Sequence, residues 1–172
     1  MTRVFALAPI AVFASVAIVQ AAQAPPQRIA LEVALDGART AVDTCKGNGY
    51  NVTAMVMDAN QIPIVVLRNG AGPGTVEVAR RKGYTVLKTG MSSLEFGKSI
   101  NFTPPPPLPP GSPPRPPLVI NGDANLTPFG GGVALKVGAE AIGALSVSGA
   151  PGGDKDDVCA AAGAAKMASA LK

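Results

Sequence analysis

Ten of the fourteen residues from Pro104 to Pro117 are proline. Each proline removes a backbone donor and holds φ at about −65°. The stretch can therefore form neither a helix nor a central strand, and extended polyproline II is expected of it. Any folded core has to be assembled from the segment before it and the segment after it. Thr103–Pro117 is read as a low-complexity insert, a stiff surface loop, with a Pro-rich docking ligand as the alternative. The flanking segments are apolar enough to build that core. Of 172 residues, 47% are hydrophobic and 15% charged, and mean hydropathy is +0.28. Disordered chains lie well below this. The 20 glycines follow no three-residue period, which excludes a collagen-like chain.

The N-terminus reads as a targeting segment. Arg3 supplies the positive start, Val4 to Val19 carries no charge, and small residues come next at Ala21, Ala22 and Ala24. This is the pattern of a secretory signal peptide, cleaved between Ala21 and Ala24. Residues 1–24 are therefore set aside, and 25–172 are expected to form one exported domain. An uncleaved anchor is the alternative, but the run is short for a membrane span. No stable membrane insertion is expected after cleavage, and the location expected is periplasmic or secreted.

Apolar positions spaced three and four apart predict a first helix from about Gln27 to Lys46, stopped by Gly47 and Gly49. Val52–Asp58 and Ile62–Arg68 read as strands joined by a tight turn. Pro63 predicts an edge or a bulge. A second helix is predicted from Thr75, as N-cap, to Thr89. Val76, Ala79, Gly83, Val86 and Leu87 share its sheet-facing side. Arg81, Thr85 and Lys88 fall opposite, with Val78 nearby. Met91–Ser99 reads as a short helix. Leu118–Asn121, Val133–Val137 and Ile142–Ser148 read as three more strands. A last helix is predicted from about Asp154 to Leu171. Runs of strands joined by hairpins and flanked by helices predict an α+β domain with an antiparallel sheet.

The chain has no His, which removes Ser-His-Asp and Cys-His catalysis, His-ligated zinc and proximal-His haem. Net charge is +4, and aromatic residues are 4% of the chain, too few for stacking single-stranded nucleic acid. Three glycine clusters lack the spacing of a phosphate loop. Asp154, Asp156 and Asp157 complement the dipole at the start of the last helix. In an exported chain, Cys45 and Cys159 are expected to pair. Arg80, Arg81, Lys82 and Lys88 read as a solvated basic face, or as a site for carboxylates. Tyr84 and Thr85 sit among them. Any iron in a His-free protein must take O or S ligands, and Tyr ligation of haem iron has precedent.

The mature chain resembles the haem-binding HbpS/GlcG family. Three stretches carry the likeness: YNVTAMVMDANQIPIVVLRNGAGPG (Tyr50–Gly74), EVARRKGYTVLKTGMSS (Glu77–Ser93), and GGGVALKVGAEAIGALSVSGAPGGDKDDVCAAAG (Gly130–Gly163). The resemblance implies a profilin-like, GlcG-like α+β fold with a five-stranded antiparallel sheet packed by helices, in a homo-oligomer. It implies an exported protein that binds haem or a related tetrapyrrole, for scavenging, buffering or redox sensing beside a membrane sensor kinase. A haem-degrading enzyme is one alternative, and a docking protein using the Pro-rich loop is another. The resemblance makes Thr85 the iron ligand, with Tyr84 its chemical rival. Arg81 and Lys88 stand at i−4 and i+3 from Thr85, placed for propionates. Gly83 stands where the family favours Ala.

Overall fold

The structure is a computed structural model that describes residues 28–171 apart from 107, 114 and 117. Residues 1–24, read above as a targeting segment, lie outside the described residues. Eight elements succeed one another: α1 (Leu31–Gly47), β1 (Thr53–Asp58), β2 (Pro63–Arg68), α2 (Gly74–Thr89), α3 (Ser93–Ser99), β3 (Gly132–Val137), β4 (Glu140–Ser148) and α4 (Gly153–Ala168). The fold is α+β, as expected.

The strands form an antiparallel sheet in the order β2-β1-β4-β3. Four strands are found among the described residues, where five were expected. Leu118–Asn121 is not a strand. Its one ladder contact is an isolated bridge between Ile120 and Asp123. Asn121 and Gly122 both take positive φ, 52° and 79°, and reverse the chain immediately after Ile120. Beyond that bridge, side chains of α2 hold this stretch. Pro63 behaves as its chemistry requires. It lies on the edge strand β2, and the register shifts opposite it, between Val56 and Met57. Asp58 closes the β1–β2 turn by accepting from the Asn60 and Ile62 N–H groups. Thr75 lies inside α2 rather than capping it. Pro73 is the cap residue, and the Thr75 hydroxyl donates to the Gly72 carbonyl.

Helices cover both faces of the sheet. Ala34, Ala38 and Ala41 of α1 pack with Ala54, Val56, Leu145 and Val147 from the sheet, together with Ala160 and Met167 of α4. On the other face Ala79 and Val86 of α2 meet Met55, Met57 and Ala144. β1 and β4 are buried on both sides. Alternation along each strand explains the division between the two clusters. The small residues of α1 and α4 set how closely those helices approach. A Cβ added at Gly163 would lie 2.6 Å from the Gly37 carbonyl oxygen.

Cys45 and Cys159 are joined in a disulfide with Cα atoms 5.6 Å apart, and both are buried. The bond links the last turn of α1 to the first turns of α4. The Pro-rich insert carries no helix or strand among its described residues. It does not run straight: Ser112 N–H donates to the Pro109 carbonyl, Gly111 takes φ 82°, and Arg115 reaches back to the Pro106 carbonyl. A glycine at the tip supplies the reversal that proline cannot.

The disulfide spans 114 positions of sequence. The variant Cys45→Ala/Cys159→Ala is expected to lose about 2–5 kcal/mol of stability. Urea denaturation of the two proteins measures this. A loss below about 1 kcal/mol would show that the cross-link adds little to the packing of α1 on α4.

Candidate functional site

A helix turns about 100° per residue, so neighbouring basic residues on α2 point in different directions. Arg80, Arg81 and Lys82 divide accordingly. Arg80 forms a two-pronged pair with Glu77 and also donates to Asn125 Oδ1 at 2.7 Å. Arg81 donates to the Leu118 and Leu126 carbonyls at 3.0 and 2.8 Å. Tyr84 OH donates to Asp123 Oδ2 at 2.7 Å. This bond raises the Tyr84 pKa and lowers that of Asp123. Thr85 is fully buried; its hydroxyl donates to the Arg81 carbonyl and accepts from Thr127 N–H at 2.9 Å. These side chains of α2 together pin residues 118–127, the chain returning from the Pro-rich insert. Lys88 stays exposed.

Lys82 turns the other way and is 1% exposed. Its Nζ donates to Asp156 Oδ2 at 2.6 Å and to the Val147 carbonyl at 2.8 Å. The other Asp156 oxygen accepts from Ala150 N–H at 2.9 Å. One ion pair thus ties α2, the end of β4 and the first turn of α4. Burial lowers the Lys82 pKa, opposed by the Asp156 carboxylate. Burial raises that of Asp156, opposed by Lys82. Burial also raises Asp157, which accepts from Gly131 N–H. Gly131 has φ 115°, and a Cβ there would lie 2.9 Å from Lys82 Nζ. Gly83 brings α2 down onto the sheet, since an added Cβ would come within 2.7 Å of the Met57 methyl.

The pair stands in the wall of a cavity of about 530 Å³, within the usual range for small-molecule sites. Val78, Leu94, Phe102, Pro104, Pro128 and Phe129 make it predominantly apolar. Phe102 and Phe129 meet edge to face with centroids 5.1 Å apart. Lys98, Ser148 and Asp154 add polar groups, and the uncapped start of α4 at Gly152 and Gly153 borders the space.

Of the residues singled out from the sequence, Arg81, Tyr84 and Thr85 come together on α2, but none of them, nor Lys88, lines this cavity. Of the lining residues, Lys82 was read within a solvated basic face or carboxylate site and Asp156 as a complement to the helix dipole, while Phe102 and Phe129 carried no site role. A signal for Lys82 was present. It lies three residues after Ala79 and four before Val86, inside the apolar stripe, where a lysine demands a buried acid.

Replacing Lys82 alone leaves a buried carboxylate without its cation. Lys82→Met is expected to cost about 3–5 kcal/mol. The double variant Lys82→Met/Asp156→Asn is expected to recover at least half of that loss, because no net charge stays buried. Thermal and urea unfolding of the three proteins decide it. Equal losses in the single and double variants would contradict the assignment of the cost to the stranded charge.

The chain is similar at 28% identity to a double mutant of Streptomyces reticuli HbpS, with a TM-score of 0.70 over 90% of this chain and 97% of that one. It shares its fold with Klebsiella pneumoniae protein ORFY, at 19% identity and TM-score 0.70 over 91% of this chain and 100% of that one. It also shares it with the protein of a PduOC:haem complex, at 22% identity and TM-score 0.64 over 80% and 94%. No curated protein sequence matches the chain. The model of the family described as haem degrading protein HbpS-like matches residues 29–165. The chain therefore belongs to the HbpS-like family.

Proposed function

We propose that the protein is an exported haem-binding protein, acting as a scavenger, buffer or redox sensor. The observation that carries this reading is the apolar cavity beside the Lys82–Asp156 pair. Its aromatic and aliphatic walls suit a flat macrocycle, and Lys98 at its edge suits a propionate. The family description and the haem held by the structurally similar PduOC support the ligand class. The donor set suits the iron less well. Among the described lining residues the oxygen donors are Ser148, Asp154 and Asp156, and Asp156 already serves Lys82 and Ala150 N–H. Haem, when bound, supplies redox chemistry of its own, and the chain supplies orientation and exclusion of water. The family description also favours haem degradation as a second reading.

Export is supported by the charged, apolar and small-residue pattern of residues 1–24. Among the described residues no helix is long and apolar enough to cross a membrane. A sensor kinase partner belongs to the sensing form of this reading. The resemblance implies a homo-oligomer, and Val78 and Thr85 on a second side of α2 would be a contact surface for it. That side is used within the chain, because Thr85 holds Thr127 and Val78 lines the cavity. The edge strand β2 offers another contact surface, with Val66 42% and nearby Ile62 60% exposed. An oligomer is expected by light scattering at micromolar concentration, and a monomer with and without hemin would refute it.

A hemin titration of the mature protein tests the ligand. A saturable Soret band is expected. Val78→Trp, which puts an indole into the cavity, is expected to weaken binding at least tenfold, and Thr85→Val to leave it within threefold. Loss of binding in Thr85→Val, with Val78→Trp unchanged, would move the site to the opposite face of α2. Bleaching of the bound band with peroxide or a reductant, faster than for free hemin, would favour degradation over storage.

A further inference from the structure

The described chain contains three Asn-Gly pairs, at Asn48, Asn69 and Asn121. Asparagine is among the thermolabile residues, and a glycine after it leaves the next main-chain nitrogen unshielded by a Cβ. The fold protects the three pairs unequally. At the end of α1, Gly49 N–H donates to the Lys46 carbonyl at 2.9 Å and Asn48 Nδ2 to the Thr44 carbonyl at 3.1 Å. Asn69 is clamped to Val52. Its N–H donates to the Val52 carbonyl, its Oδ1 accepts from Val52 N–H at 2.6 Å, and its Nδ2 is buried. Asn121 has none of these restraints. Both it and Gly122 are exposed, and among the described residues neither the Asn121 side chain nor Gly122 N–H has a hydrogen-bond partner. The pair makes a two-residue turn with φ 52° and 79°, a conformation that Asn-Gly favours. Two bonds hold it, from Ile120 N–H to the Asp123 carbonyl at 3.1 Å and from Asp123 N–H to the Ile120 carbonyl at 2.9 Å. That bridge is isolated, so the turn can open without disturbing the sheet.

We infer that Asn121 is a site of spontaneous modification, where the folded protein deamidates to aspartyl and isoaspartyl forms while Asn48 and Asn69 are spared. Gly122 N bonds to Asn121 Cγ, the Cγ–Nδ2 bond breaks, and Nδ2 leaves as ammonia together with the Gly122 amide proton. Water then adds to either carbonyl of the five-membered imide and opens it. One ammonia is lost and one carboxyl gained, with no change of oxidation state. The reaction requires a free main-chain nitrogen, a side-chain amide open to water and a turn able to rotate, and Asn121-Gly122 combines the three. Its product alters the stretch gripped by α2. A carboxylate appears two residues before Asp123, which already accepts from Tyr84 OH and Asn125 N–H. The isoaspartyl form also carries the main chain through Cβ, so a two-residue turn no longer sets Ile120 opposite Asp123. The reaction needs nothing from the cavity and stands apart from the haem-binding reading.

The experiment ages the disulfide-bonded protein in neutral buffer and follows each Asn-Gly pair by peptide mapping with mass spectrometry, which reads the mass gain from amide to acid. A second sample is aged unfolded, in guanidinium chloride with a thiol reductant. In the folded protein Asn121 is expected to react at least tenfold faster than Asn48 or Asn69. In the unfolded chain the three are expected to react within fivefold of one another, because only the fold separates them. Two products of equal mass, separated by chromatography, are expected at Asn121. Asn121→Gln, which would need a six-membered ring, is expected to remove the early mass gain of the intact folded protein. Asn121 reacting no faster than Asn48 or Asn69 in the folded protein would overturn the inference. A tenfold preference for Asn121 that persists in the unfolded chain would overturn the role given to the fold. An early mass gain that survives in Asn121→Gln would place the reaction elsewhere.

Discussion

A lysine ammonium and an aspartate carboxylate buried 2.6 Å apart hold the two ends of this fold in register. Neither group is tolerable alone in that environment. Lys82 reaches through the end of β4, where it takes the Val147 carbonyl, to the first turn of α4. Asp156 passes the constraint on to Ala150 N–H, in the loop that leads into α4. Gly131, at the approach to β3, must then lie against both side chains, and its positive φ leaves the room they need. The position of α2 over the sheet, the path into β3 and the start of α4 thus answer to one pair of charges. The cavity exists between these same segments, so its polar end belongs to the frame of the molecule.

The opposite side of α2 performs a different task. The insert takes the chain out of the fold near Phe102, and the chain must return to begin β3. Arg80, Arg81, Tyr84 and Thr85 receive it, through side chains and main-chain atoms between Leu118 and Thr127. Repeated side-chain bonds replace the strand ladder that the apolar sequence of Leu118–Ile120 suggested. Such an arrangement tolerates variation in the insert, because α2 grips only residues beyond the last proline of the run.

Much of the fold was legible because burial on one face imposes a period. β1, β2, β4 and the sheet side of α2 emerged from alternation or from three-and-four spacing, and Pro63 announced an edge or a bulge where the structure has both. The false strand at Leu118–Asn121 had the right residue types, but Asn121 and Gly122 turn the chain and α2 claims its carbonyl groups. The site was less legible. A run of basic residues suggests one charged face, yet successive helical positions diverge by about 100°. Lys82 therefore parts from Arg81, and the acid that neutralises it lies 74 positions away. The aromatic residues of the cavity, Phe102 and Phe129, stand on either side of the insert, so their contact emerges only when the chain is closed.

The same closure has a covalent side. The bond between Cys45 and Cys159 makes a ring of the chain, and every strand, α2, α3 and the whole proline insert lie within it. A single break in the insert would open the ring without dividing the molecule. The two pieces would stay linked through α1 and α4, with β1 and β4 still paired between them. Beyond Pro104, the insert can thus be nicked or lengthened while the cavity beside it keeps its walls from both pieces.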